Sequence, residues 1–147
     1  MHISPKKSYE TVAQLKEELG VEVCSLYIAL DAEQKLQMAA SCGLNKNAVG
    51  SFLRYDQGLT GKVARTHKPL AVKNPQSHPD YFHIEGSGEE KYQSYLGIPL
   101  LHEEKLFGVL VVQTERTKMF LHSEIKSLYS AGRELMDTLL LSPSSAA

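Results

Sequence analysis

No apolar run in the 147 residues approaches the roughly 20 that a membrane-spanning helix needs, and Met1 to Gly20 lacks the apolar core of a signal peptide. The expectation is a cytoplasmic protein without a membrane segment. Cysteine is scarce: Cys24 and Cys42 are the only two, too few for a disulfide framework and suited to free thiols in a reducing compartment. An excess of charge of either sign is missing as well. The formal net charge is −1, and the basic residues are scattered, which gives no footprint for nucleic acid or an acidic polymer. Internal repeats are absent, as is the Gly-x-x-x-x-Gly-Lys-Ser/Thr spacing of a phosphate loop. No nucleophile and base stand at motif spacing. His78 and His83 are not joined by a cysteine or carboxylate that would complete a metal-ligand set, and Glu85, Glu89 and Glu90 read as solvated charge. No cofactor and no metal are expected.

What remains is ordinary for one soluble domain: 42% hydrophobic and 22% charged residues in a length that buries a core without staples. A single domain over 1–147 is expected, with its core at about 9–140 and a tail or linker start at 141–147. Ser4-Pro5 opens a helix in which Tyr9, Val12, Leu15 and Leu19 recur at helical spacing until Gly20 ends it. Val21 to Leu30 and Lys35 to Cys42 alternate around a polar turn, which predicts a β-hairpin. Centred on Glu33, it pairs Cys24 with Cys42, Leu26 with Ala40, Ile28 with Met38 and Leu30 with Leu36 on one apolar face. Ser25, Tyr27, Ala29, Gln37, Ala39 and Ser41 form the other face, which suits either a ligand-filled space or a solvated sheet surface.

A polar connector follows, with a helical turn near Asn45 to Val49, then a short strand at Ser51 to Arg54. Gly58 and Gly61 precede Val63-Ala64, and Lys68-Pro69 precedes Leu70-Ala71-Val72: turn, short helix, turn, strand. With Thr60 or Asp56 as cap, that helix would offer free N–H groups to an anion or a carbonyl. A plain connector helix is the alternative reading. Asn74 to Gln93 is a long loop carrying Tyr81, Phe82 and Tyr92, a length that usually covers a site.

Ser94 to Leu101 and Lys105 to Gln113 predict a second hairpin that is apolar on both faces and hence central. Leu96, Ile98, Leu100, Phe107, Val109 and Val111 are assigned to one face. Tyr95, Leu101, Leu106, Leu110 and Val112 take the other, with Gly97, Pro99 and Gly108 beside them. Ile125, Leu128, Tyr129, Gly132, Leu135, Met136, Leu139 and Leu140 stripe a last helix that packs beside the first.

The run Asp56-Gln57-Gly58-Leu59-Thr60-Gly61-Lys62-Val63-Ala64, with Pro69, His78-Pro79, Tyr95-Leu96-Gly97-Ile98-Pro99-Leu100 and Phe107-Gly108-Val109-Leu110, resembles the GAF domain, a small-molecule-sensing family, from about Tyr9 to Leu140. That resemblance implies an α+β fold of the GAF, profilin-like and PAS-like kind. It would have a central antiparallel sheet of about six strands, terminal helices on one face, and a pocket with short helices and a lid on the other.

Val23-Cys24-Ser25-Leu26-Tyr27, Gly43-Leu44-Asn45, the segment Gly88 to Pro99 and Val109 to Gln113 look most like the N-terminal sensor of nitrogen-related phosphoenolpyruvate-protein phosphotransferases. This implies a non-catalytic regulatory domain, an effector domain beyond the last helix, and a small metabolite as partner, with glutamine and 2-oxoglutarate as candidates. The ligand-binding residues expected on the combined reading are Tyr27, Ser41, Phe52, Leu59, Thr60, Gly61, Tyr81, Phe82 and Tyr95. Cyclic-nucleotide-binding relatives carry Asn-Lys before a Phe. Here Thr114-Glu115 stands in its place ahead of Phe120, which argues against a cyclic nucleotide. Two alternatives stay open: a redox enzyme of the free methionine sulfoxide reductase type, and a homodimerising sensor of an activator or kinase that uses the terminal helices.

Overall fold

The computed structural model describes residues 4–82 and 91–140. The element order is α1 (Pro5–Leu19), β1 (Val23–Leu30), β2 (Lys35–Cys42), β3 (Phe52–Arg54), α2 (Gly58–Thr66), β4 (Leu70–Lys73), β5 (Ser94–His102), β6 (Lys105–Thr114) and α3 (His122–Leu140). Helix α1 starts where Ser4 Oγ accepts the N–H of Lys7 at 3.4 Å and Pro5 supplies a pre-set φ, and it stops at Gly20, whose φ is 64°. Its buried stripe is Ser8, Val12 and Leu15. Tyr9, expected in that stripe, sits one residue off it and is 54% exposed.

The strands form one antiparallel sheet in the order β3-β2-β1-β6-β5-β4. Each long hairpin contains one extra residue, and each extra residue corrects an expected face. In β1–β2, Leu26 pairs with Ala40 but Tyr27 pairs with Met38, so Ala39 bulges and the register slips. Leu36 and Met38 therefore turn to the face of Tyr27 instead of joining Cys24 and Leu26. In β5–β6, Leu101 pairs with Leu106 near the tip but Leu100 pairs with Gly108, so Phe107 is the extra residue. Past it, Leu110 and Val112 share a face with Leu96, Ile98 and Leu100, while Val109 and Val111 join Tyr95. Gly108 accordingly lies opposite Leu100 rather than beside Tyr95.

Two cores follow, one on each side of the sheet. On the first, α1 and α3 bury Val12, Leu15, Leu128 and Leu135 against Cys24, Leu26, Ile98 and Leu110. On the second, α2 buries Leu59, Val63 and Ala64 against Tyr27, Met38, Tyr95 and Val109. The side chains of Leu139 and Leu140, the tail 141–147, and the expected loop residues His83, Glu85, Glu89 and Glu90 lie outside what is described. Among the described residues, no helix is long and apolar enough to cross a membrane.

Leu135 is 2% exposed where α3 meets the sheet. Replacing it with aspartate puts an unpaired carboxylate there, and a loss of at least about 3 kcal/mol is expected. Urea unfolding checks this, and an unchanged midpoint would show that the stripe is not a core.

Candidate functional site

Helix α2 is positioned by its surroundings more than by a cap. Asp56 pairs with Arg54 at 3.0 Å, Gln57 Oε1 accepts the N–H of Arg54 at 3.1 Å, and Gln57 makes no side-chain capping bond. Thr60 does not cap either, because its hydroxyl is 2.8 Å from that of Tyr95, and both are buried. The expected side-chain caps are thus replaced by a glycine entry. Gly58 has φ of 70°, a conformation that side chains resist, and it turns the chain into the helix. The helix is then held by close packing. A Cβ on Gly61 would lie 2.8 Å from the carbonyl oxygen of Arg54, and Arg65 donates to the carbonyl of Tyr55 at 2.7 Å. Tyr55 also donates to Asp31 at 3.0 Å, tying this turn to the tip of the first hairpin. Burial, followed by the Asp31 hydrogen bond and charge, raises that phenol's pKa well above its ordinary value.

Between α2, the sheet and the segment after β4 lies a narrow, half-open cleft of about 30 Å³. Six of the expected residues converge on it: Tyr27 from β1, Leu59 and Thr60 from α2, Tyr81 and Phe82 from the covering segment, and Tyr95 from β5. The other three lie elsewhere. Ser41 Oγ is 2.9 Å from Ser25 Oγ, outside the cleft wall. Phe52 is on the edge strand, 53% exposed, with Lys35 Nζ 4.3 Å from its ring centroid. Gly61 faces the Arg54–Tyr55 backbone. Four wall residues were not anticipated as ligand contacts: Leu53, Gly58, Pro75 and Gln113. Gln113, next to last in β6, is only 4% exposed, and an amide closing so apolar a run was the signal the sequence offered.

The covering segment is anchored at both ends of its described part. Asn74 donates to the carbonyl of Gln93 at 2.7 Å, and Gln76 donates to that of Tyr92 at 2.9 Å. Lys62 on α2 holds Asp80 at 3.1 Å, with Arg65 at 3.9 Å, and the Asp80 N–H donates to His78 Nδ1 at 3.0 Å. The Lys62 hydrogen bond outweighs partial desolvation and keeps the Asp80 carboxyl below its usual pKa, helped by the charges of Lys62, His78 and Arg65. Phe82 lies over Gly58, where an added Cβ would come within 3.1 Å of it.

A sequence profile described as "GAF domain" matches residues 7–139. The chain belongs to the GAF family. This GAF domain is 30% identical over 118 residues to a protein of Escherichia coli K12 named "phosphoenolpyruvate-dependent phosphotransferase system", covering 80% of the chain but only 16% of that protein. The GAF domain of a phosphoenolpyruvate-protein phosphotransferase from Coxiella burnetii superposes with a TM-score of 0.81 at 29% identity, over 92% of this chain and 83% of that one. The free methionine-R-sulfoxide reductase of Neisseria meningitidis shares the fold, with a TM-score of 0.76 at 21% identity over 90% and 75% of the two chains.

The two thiols of this GAF domain are on the helix-covered side of the sheet, opposite the cleft. Burial, reinforced by the neighbouring Cys42, pushes the Cys24 thiol up to about 12. Cys42, assigned to the apolar face of the first hairpin, is only half-buried at the end of β2.

Two outcomes are expected. Thr60→Val and Tyr95→Phe each remove one hydroxyl of a buried pair and should cost about 1–3 kcal/mol, with the double variant losing less than the sum by about 0.5 kcal/mol or more. A double-mutant cycle by denaturant unfolding measures the coupling, and strict additivity would contradict it. Because the Asp80 pKa is lowered on folding, its contribution is present above the unfolded value of 3.8 and fades as pH falls through the folded one. Hydrogen-exchange protection factors across residues 75–82, taken against the intrinsic rate at each pH, should therefore fall in acid, and in Asp80→Asn at neutral pH.

Proposed function

We propose that this GAF domain is a non-catalytic sensor that binds a small polar metabolite in the cleft and regulates an attached phosphoenolpyruvate-protein phosphotransferase in the cytoplasm. The observation that carries this is the cleft itself: a glycine-entered helix end with no side-chain cap, facing aromatic and hydroxyl groups from the sheet and the covering segment. The likeness to phosphotransferase GAF domains supports the choice of effector. The chain spans about a sixth of the E. coli relative, so the transferase belongs to other parts of such a protein.

None of the described cleft residues carries a charged side chain, and the nearby cations Lys62 and Arg65 are engaged by Asp80. A dianion would be poorly compensated there. Of the two candidates, glutamine, with no net charge, is therefore favoured over 2-oxoglutarate, and its entry requires the covering segment to open further than the narrow cleft of the structure. Occupancy is transmitted through β5, which presents Tyr95 to the cleft and Leu100 to α3, where a Cβ on Gly132 would lie 2.4 Å from Leu100. A ligand that favours one setting of β5 thereby biases α3 and whatever follows it.

The reductase reading loses support because both thiols are separated from the cleft by the sheet. A homodimer through α1 and α3 would be a polar contact, since the groove between those helices carries Lys7, Glu18, Lys126 and Glu134.

Thermal shift with glutamine and with 2-oxoglutarate tests the reading. A ligand at a hundredfold excess over Kd adds about 2.7 kcal/mol, which is a Tm rise on the order of 5–10 °C for a domain of this size. Gly58→Ala and Phe82→Ala should abolish the rise. If binding is indifferent to both substitutions, the ligand sits elsewhere.

A further inference from the structure

We propose that Cys24 and Cys42 form a redox pair that closes a cross-strand disulfide between β1 and β2 when a peroxide supplies the oxidant. The two residues are directly opposite in the antiparallel register, so their side chains leave the same face of the sheet. Opposed residues in such a ladder have Cα atoms about 4.5–5.5 Å apart, inside the roughly 4.4–6.8 Å that a disulfide spans. No strand has to move. The adjacent pair shows how near the side chains run, since the Ser25 and Ser41 hydroxyls are 2.9 Å apart. Both thiols are free in the structure.

Their unequal exposure sets the order of events. Cys42 is half-buried at the last position of β2, whereas Cys24 is fully buried. A peroxide meets Cys42 first. Its sulfur attacks one peroxide oxygen, an S–O bond forms, the O–O bond breaks, and the departing hydroxide takes the thiol proton as water, leaving a sulfenic acid. The Cys24 sulfur then attacks the Cys42 sulfur. The S–S bond forms, the S–O bond breaks, and the hydroxide leaves with the Cys24 proton as a second water. Two thiols lose two electrons, and the peroxide gains them. Burial makes Cys24 a poor first nucleophile and leaves it the resolving role.

The bond would staple the open end of the first hairpin. The next residue, Gly43, is pressed against the backbone of Glu22, where a Cβ would overlap the carbonyl oxygen, and its own carbonyl accepts the Tyr92 hydroxyl at 3.3 Å. Tyr92 in turn holds Gln76 of the covering segment through its carbonyl. Oxidation therefore fixes the end of β2 to which the base of that segment is tied.

The folded chain is treated with hydrogen peroxide, alkylated and mapped by non-reducing peptide mass spectrometry. The expected result is a linked Cys24–Cys42 peptide, with free thiols falling from two to none and restored by dithiothreitol. Cys24→Ser should stop at a Cys42 sulfenic acid trapped by dimedone, and Cys42→Ser should leave Cys24 reduced. The wild-type map alone overturns the proposal if both thiols stay free, if each oxidises separately to a sulfinic acid, or if the only disulfide joins two chains.

Discussion

The sheet has to be covered twice. Strand β6 is buried from Leu106 to Thr114, with neighbours on both edges and apolar side chains on both faces, so neither face can be left to water. Two long helices satisfy one face. The other is covered by α2, nine residues long, and by loop segments, which cannot fill the same area. The cleft is the remainder of that unequal covering. Its walls are therefore sheet residues that would otherwise be core, Tyr27 and Tyr95 above all, together with the helix entry and the segment laid across it.

Much of this was legible in the sequence because periodicity survives without knowledge of contacts. The bounds of α1 and of both hairpins, and the presence of α2 and α3, follow from spacing, from Ser4-Pro5, from Gly20 and from the polar turns. The faces were not legible. A one-residue bulge at Ala39 or Phe107 leaves the composition of a strand untouched, yet it reverses the side of every residue beyond it. Face assignments extrapolated from the open end of the first hairpin and the tip of the second held on one side of each bulge and failed on the other.

The site was legible in outline for a related reason. Residues fixed by local chemistry, Leu59 and Thr60 after a glycine turn and the aromatics of a long loop, come together at the cleft. Ser41, Phe52 and Gly61 do not, because their positions depend on pairings that spacing does not report. Ser41 is engaged by Ser25, Phe52 falls on a three-residue edge strand, and Gly61 is needed where α2 meets the Arg54–Tyr55 backbone. Gln113 escaped notice because its importance is a matter of burial at the end of β6.

The Tyr95 ring folds back over Gly97, its own neighbour on the same strand face, so closely that a Cβ there would lie 2.5 Å from the phenol oxygen. The floor of the cleft is thus shaped by a residue that does not touch it. Any side chain at position 97 would swing the phenol out and break its bond to Thr60. Positions 95 and 97 are thus sterically coupled, so substitutions at the two should be interdependent rather than separately tolerated.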